Sequence, residues 1–150
     1  AKLYGVDTVS LRYFNVYSED QKYGGSYSTV IAAWMEMLRR NQPLRLDGDG
    51  MQTRDFIYLD DVIDANIFCM NHKDKMAGLS FDVGTGTETS LNEVRDIVSQ
   101  YCEPEWHNAK SRLGDIQFSK ANTEVLESLG WKAKVNIVEG LKTCFGGNNE

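Results

Sequence analysis

The spacing of hydrophobic positions along the chain switches repeatedly between a period near two and one near three and a half. Thr8 to Tyr13 (TVSLRY) alternates polar residues with β-branched or aromatic ones and predicts a strand. Asn15 to Tyr27 reads as loop. Ser28 is a capping residue for a helix whose apolar face is Val30, Ile31, Trp34, Met35 and Leu38. That helix closes on Arg39 and Arg40, where cations complement the C-terminal dipole, and Asn41 and Pro43 stop it. Leu44 to Leu46 predicts a short strand, Gly48-Asp49-Gly50 a turn, and Arg54 to Leu59 a further strand with Phe56 and Tyr58 on one face. Asp60 or Asp61 then caps a helix that runs to about Asn71.

The second half repeats the alternation. Leu79 to Val83 predicts a strand and Gly84-Thr85-Gly86 a loop. Ser90 with Glu93 forms a capping box for a helix that turns Leu91, Val94, Ile97, Val98 and Tyr101 inward, the clearest local signal in the chain. A loop follows through Asp115, then a helix from about Asn122 to Leu129 stopped by Gly130. Asn136 and Glu139 repeat the capping-box spacing before a last helix through Cys144, and the tail from Gly146 to Glu150 reads as frayed. With no internal repeat and no long linker, short strands alternating with helices predict a single α/β domain.

Composition narrows the picture. A chain of 150 residues with 41% apolar and 25% charged residues can bury one real core, and excludes a two-domain or disordered reading. A net charge of -6 leaves no broad basic face for nucleic acid or an anionic membrane, so any phosphate must be met by a few local arginines. Cys69, Cys102 and Cys144 are widely spaced and include no C-x-x-C, which suggests neither a disulfide framework nor a zinc site and fits a reducing, cytoplasmic setting. No stretch approaches the roughly eighteen apolar residues of a membrane span, and the N-terminus carries no signal-peptide pattern. The chain opens at Ala1 without Met and runs straight into Tyr4-Gly5-Val6-Asp7-Thr8, which reads as a helix end passing into a strand and hence as a piece of something longer.

Most chemical motifs fail on inspection. Val83-Gly84-Thr85-Gly86 imitates a dinucleotide-binding turn, but Thr89 stands where the third glycine is required, so it reads as an ordinary strand-to-helix loop. Gly24-Gly25-Ser26-Tyr27-Ser28 fails as a nucleophile elbow because Ser28 replaces the final glycine. His72 and His107 have no second ligand at helical spacing, and Glu19 and Asp20 read as solvated loop charge without a catalytic role. Two arginine contexts are better. Arg54 follows a glycine turn into a strand, where a guanidinium can fork onto a diphosphate, and Arg112-Leu113-Gly114-Asp115 sets a cation and an acid on either side of a bend. Singly, each reads as a structural ion pair.

The pattern of the whole chain raises them. Leu11-Arg12-Tyr13-Phe14-Asn15-Val16-Tyr17, then Gly48 to Val62 (GDGMQTRDFIYLDDV), Asp82 to Gly86, Arg112 to Asp115 and Leu129-Gly130-Trp131 occur in one order. In that order they resemble the extended short-chain dehydrogenase/reductase family of nucleotide-sugar epimerases and dehydratases, above all its UDP-glucose 4-epimerase-like members. The resemblance covers nearly the whole chain and implies that residues 1–150 are the C-terminal, substrate-binding half, with a late strand of a Rossmann sheet at Thr8 to Tyr13. The family's Rossmann half carries a glycine fingerprint and a catalytic Tyr-x-x-x-Lys. Neither occurs here: no tyrosine has lysine four positions later. The resemblance therefore implies no catalytic residue in this chain and no turnover by it alone.

It implies NAD as cofactor, a UDP-sugar as substrate and a homodimer for the complete protein. Carried over by position, Phe14 sits near the nicotinamide and Asn15 bonds the substrate diphosphate. Thr29 and Val30 approach the nucleotide through the backbone, Arg45 and Asp47 line the uracil pocket, Arg54 and Arg112 clamp the diphosphate, and Asp115 accepts from ribose hydroxyls. Two positions depart from the family pattern. Ser18-Glu19-Asp20 replaces a common Gly-Pro-Arg, and Asp47 stands where an apolar or aromatic side chain often meets the base. The expected activity is C4 epimerisation. Its alternatives are a 4,6-dehydratase or reductase of the same superfamily, or a free-standing nucleotide-binding module, against which Thr8 to Tyr13 and Leu79 to Val83 count because both need sheet partners.

Overall fold

The computed structural model describes residues 3–24 and 28–146. Among the described residues, four parallel or antiparallel strand pairs and six helices alternate in an α/β arrangement. Strands β1 (Ser10–Tyr13) and β6 (Ser80–Val83) pair in parallel, so the two segments that needed sheet partners supply each other. β2 (Asn15–Tyr17) pairs in parallel with β5 (Phe56–Tyr58), β3 (Leu44–Asp47) in parallel with β8 (Trp106–Ala109), and β4 (Thr53–Arg54) antiparallel with β7 (Thr89–Ser90). The helices are α1 (Val30–Arg39), α2 (Leu59–Asn71), α3 (Lys73–Met76), α4 (Leu91–Val98), α5 (Glu124–Ser128) and α6 (Ile137–Phe145).

Side-chain alternation along β5 divides the interior into two cores. Phe56 and Tyr58 enter a cluster with Tyr17, Trp34, Leu44, Leu46, Val94 and Leu141, whereas Ile57 between them enters a second cluster with Val83, Leu126 and Trp131. The β2–β5 pair is thus covered on both faces, as parallel strands usually are. Trp34 anchors the first core: it is fully buried, its indole N–H donates to the Arg45 carbonyl at 2.7 Å, and Trp106 meets it edge-on at 5.0 Å. The capping box forms as expected, with Ser90 Oγ accepting from the Glu93 N–H and the Glu93 carboxylate accepting from the Ser90 N–H, a cap worth about 1 kcal/mol.

Several local expectations are corrected. Asn15 to Tyr27 is not all loop: its first three residues form β2, because β5 offers them a ladder immediately beyond Phe14. The cap of α1 is Thr29 rather than Ser28, its Oγ1 accepting from Ala32 N–H. The strand expected over Arg54 to Leu59 is broken at Asp55, whose side chain turns inward, and Leu59 already belongs to α2. Asp60 and Asp61 lie in the first turn of α2 and do not cap it. The buried Asp61 carboxylate instead accepts from the Lys134 and Val135 N–H groups at 3.0 and 2.9 Å. β8 lies within the segment read as loop before Asp115. The tail beyond Gly146 and the middle of the Gly24 to Ser28 run fall outside the described residues. No helix among the described residues is long and apolar enough to cross a membrane.

Candidate functional site

One cavity of about 640 Å³ opens where β2, α1, β3, β4 and the loop after β8 converge. Asn15 reaches it from the start of β2, Thr29 and Val30 from the N-terminus of α1, Arg45 and Asp47 from β3, Arg54 from β4, and Arg112 and Asp115 from the loop. These are the eight residues that the resemblance assigns to the substrate; Phe14, assigned to the nicotinamide, is not part of the lining. Phe14 is half-buried at the end of β1, its N–H bonded to the Val83 carbonyl. Sequence reasoning missed Gln52 and Leu91, which also line the cavity. Gln52 lies inside the Gly48 to Val62 motif, and that position was the available signal.

Local structure fixes each side chain. Asn15 is pinned through both its backbone N–H and its Nδ2, each donating to the Asp55 carbonyl at 3.0 and 3.1 Å. Thr29 Oγ1 caps α1 and donates to Gln21 Oε1, tying the loop after β2 to the helix start. The turn between β3 and β4 requires glycine at 50, where φ is +74° and a Cβ would lie 2.3 Å from Asn92 Oδ1. Arg54 is the most enclosed cation. Its Nη1 donates to the Thr53 and Ile116 carbonyls at 2.7 and 2.6 Å, and its Nη2 to Asp115 Oδ1 at 2.7 Å. A guanidinium has five N–H donors, so Nε–H and one Nη2–H of Arg54 are left without an acceptor among the described residues.

A second ion cluster faces it. Asp47 Oδ1 accepts from Arg45 Nε at 2.6 Å and Oδ2 from Arg112 Nε at 2.5 Å, while Gln52 Nε2 donates to the Asp47 carbonyl at 2.7 Å. The charged lining therefore comprises Arg45, Arg54, Arg112, Asp47 and Asp115, one positive charge in excess within a chain of net charge -6. Such a wall suits a ligand with fixed negative charge close to hydrogen-bond donors.

Beneath the cavity lies a buried carboxylate. Asp55 is fully buried, and its Oδ1 accepts from Thr85 N–H and Thr85 Oγ1 while Oδ2 accepts from the Gly86 and Ala121 N–H groups. A Cβ at Gly84 would sit 2.4 Å from Ala121 Cβ and 2.7 Å from Asp55 Oδ2. The Gly84-Thr85-Gly86 turn is accordingly folded around the protein's own carboxylate and not around a ligand. Glu19, read from the sequence as solvated charge, is instead half-buried and accepts a 2.5 Å hydrogen bond from Tyr58 Oη, which holds its carboxyl below the ordinary glutamate range. Burial pushes the Cys144 thiol up to about 12. His72 stacks on Phe68 and bonds its carbonyl, a structural role.

A model of the NAD dependent epimerase/dehydratase family matches residues 1–84, more than half of the chain. This chain belongs to that family. Among its relatives, a UDP-glucose 4-epimerase of Mycolicibacterium smegmatis is 36% identical over 144 residues, which are 93% of this chain and 44% of the relative. The fold is similar to a Thermotoga maritima UDP-glucose 4-epimerase solved with UDP-glucose, with a TM-score of 0.84 and 34% identity over 97% of this chain and 47% of that one. It is similar also to a Thermus thermophilus UDP-glucose 4-epimerase solved with NAD, with a TM-score of 0.82 and 30% identity over 96% and 47% of the two chains. The chain spans under half the length of these relatives. Against the cofactor in the family's name, the G-x-G turn at Gly84 to Gly86, which follows a strand as a dinucleotide cradle would, is filled by Asp55, Ala121 and Thr123.

Proposed function

We propose that this chain is the C-terminal, substrate-binding part of an NAD-dependent nucleotide-sugar 4-epimerase, and that its cavity grips the nucleotide diphosphate of a UDP-sugar. The observation that supports this is the convergence of Asn15, Thr29, Val30, Arg45, Asp47, Arg54, Arg112 and Asp115 on a single cavity of about 640 Å³. These residues come from segments spread over most of the chain, and only folding brings them together.

The physical logic is a division of labour. Epimerisation at C4 requires the sugar to present both faces in turn, so the nucleotide must be held by fixed charge while the sugar is held loosely. Arg54 is pre-organised by two carbonyls and Asp115, which removes most of the rotamer entropy that a free arginine loses on binding, and it keeps two N–H groups for a diphosphate. Asn15, pinned by the Asp55 carbonyl, adds a rigid polar group beside it. Asp115 keeps Oδ2 free of protein donors among the described residues and can accept from a ribose hydroxyl. The hydride chemistry and its Tyr-x-x-x-Lys pair are assigned to the remainder of the protein, together with the cofactor cradle.

The test is calorimetry on the intact protein with UDP and with NAD, comparing wild type with Arg112→Ala. Arg112 is largely exposed and held by one nitrogen, so folding is not at stake. UDP binding should weaken by about tenfold to a hundredfold, the loss of a charged hydrogen-bonding group, with NAD binding unchanged. Equal losses for both ligands, or none, would remove the assignment. Conversion of UDP-glucose to UDP-galactose tests the reaction, and a 4-keto-6-deoxy product would replace epimerase by dehydratase.

A further inference from the structure

The resemblance puts Asp47 against the base, yet neither of its carboxylate oxygens is free to meet one. Oδ1 is occupied by Arg45 Nε and Oδ2 by Arg112 Nε, and the Asp47 side chain is 10% exposed where those of Arg45 and Arg112 are 50% and 71% exposed. Gln52 holds the strand at this point through the Asp47 carbonyl. A nearly buried carboxylate thus stands between two long, otherwise solvated cations and bonds each by the same atom. Nε is the donor at the root of the guanidinium. Held there, each arginine is fixed in direction while its terminal Nη1 and Nη2 have no acceptor among the described residues. Two arginines on one carboxylate also leave a net positive charge, so the pair is not neutralised.

We infer that Asp47 is a positioning residue that orients Arg45 and Arg112 as a paired clamp for the phosphate groups of the ligand. The inference rests on the nucleotide-diphosphate reading above and moves Arg45 and Asp47 from the base to the diphosphate. Its energetic content is pre-organisation: a free arginine would lose its rotamer freedom at the moment of binding, whereas these two have lost it on folding.

Charge alone makes the opposite prediction, which gives the test its edge. Asp47→Asn raises the positive charge of the cavity, so if Asp47 merely competed with the ligand, the variant would bind diphosphates more tightly. If Asp47 positions the arginines, the amide nitrogen of the variant repels one Nε and releases that arm. The intact protein, wild type and Asp47→Asn, is titrated with UDP, UMP and pyrophosphate by calorimetry and with uridine by NMR. UDP and pyrophosphate should each weaken about tenfold, one charge-assisted contact, UMP less, and uridine not at all. Arg45→Gln, a change at a half-exposed side chain, should show the same order, which covers the case in which Asp47→Asn fails to fold.

Tighter or unchanged pyrophosphate binding in Asp47→Asn, or an equal loss for uridine and UDP in either variant, overturns the inference. A wild-type protein that binds pyrophosphate as well as UDP refutes the nucleotide reading, while the effect of Asp47→Asn on pyrophosphate still decides the clamp. A wild type that binds neither refutes both.

Discussion

Asp55→Asn is the sharpest test of how the site is supported. The carboxylate is fully buried, has no cation within salt-bridge distance among the described residues, and is satisfied entirely by four donors: Thr85 N–H at 2.8 Å, Thr85 Oγ1 at 2.7 Å, Gly86 N–H at 2.9 Å and Ala121 N–H at 3.1 Å. Asparagine has the same size and one acceptor oxygen where aspartate has two. With its nitrogen on the Oδ2 side it would face the Gly86 and Ala121 N–H groups and orphan both. With its nitrogen on the Oδ1 side it orphans Thr85 N–H alone, since the Thr85 hydroxyl can rotate to accept. The second arrangement is cheaper. One buried orphan costs about 1–3 kcal/mol, and the surviving bonds lose their charge assistance, about 1 kcal/mol more, so the expected destabilisation is about 3 kcal/mol. Hydrogen exchange of the intact protein measures it where it acts: protection of the Thr85 amide should fall about a hundredfold, with Gly86 and Ala121 falling less. Unchanged protection of all three amides would show that the turn does not depend on the carboxylate, and the structural account of the Gly84-Thr85-Gly86 segment would be wrong.

Two further expectations follow from the tyrosines behind the site. Tyr17 Oη is buried with no hydrogen-bond partner among the described residues, so Tyr17→Phe removes an unsatisfied group without opening a cavity and should leave stability equal or raised by about 1 kcal/mol in urea denaturation; a loss of more than that would show the hydroxyl to be paired. The bond from Tyr58 Oη holds Glu19 below its ordinary value of 4.5, so it adds stability above that pH and loses it as pH falls through the lowered value. The stability gap between wild type and Tyr58→Phe should therefore be largest near neutrality and shrink below pH 4.5, and a gap that is constant across this window would refute the link.

Much of the architecture was legible because its signals are local. The Ser90–Glu93 box, the Asn136 cap and the apolar face from Val30 to Leu38 each lie within one or two helical turns, and each appears in the structure. What the sequence hid depends on distant partners. Trp106–Ala109 has no alternating pattern and becomes β8 only because Leu44–Asp47 lies alongside it. The inward turn of Asp55 is set by donors 30 to 66 residues away, which no local window contains. At the site, single arginines looked like ordinary surface ion pairs, and only the order of motifs along the chain grouped them. Even then, the double engagement of Asp47 could not be read, because Arg112 lies 65 residues beyond it.

Residues 54 to 56 carry three unlike duties in immediate succession. Arg54 faces the cavity, Asp55 gathers the turn at 84 to 86 and the amide of Ala121, and Phe56 fills the first core. Because neighbouring side chains on an extended segment leave in opposite directions, a shift of one residue exchanges all three environments together. A single-residue deletion here would turn a guanidinium or an aromatic ring, according to which flank shifts, toward the pocket built for a carboxylate. The loop from Glu103 to Glu105, largely exposed and outside the cavity lining, can absorb a change of length. Divergence among homologous chains should therefore reach this tripeptide by substitution and not by insertion or deletion, and the tolerance of the molecule to changes in length should drop abruptly between its outer loop and this strand.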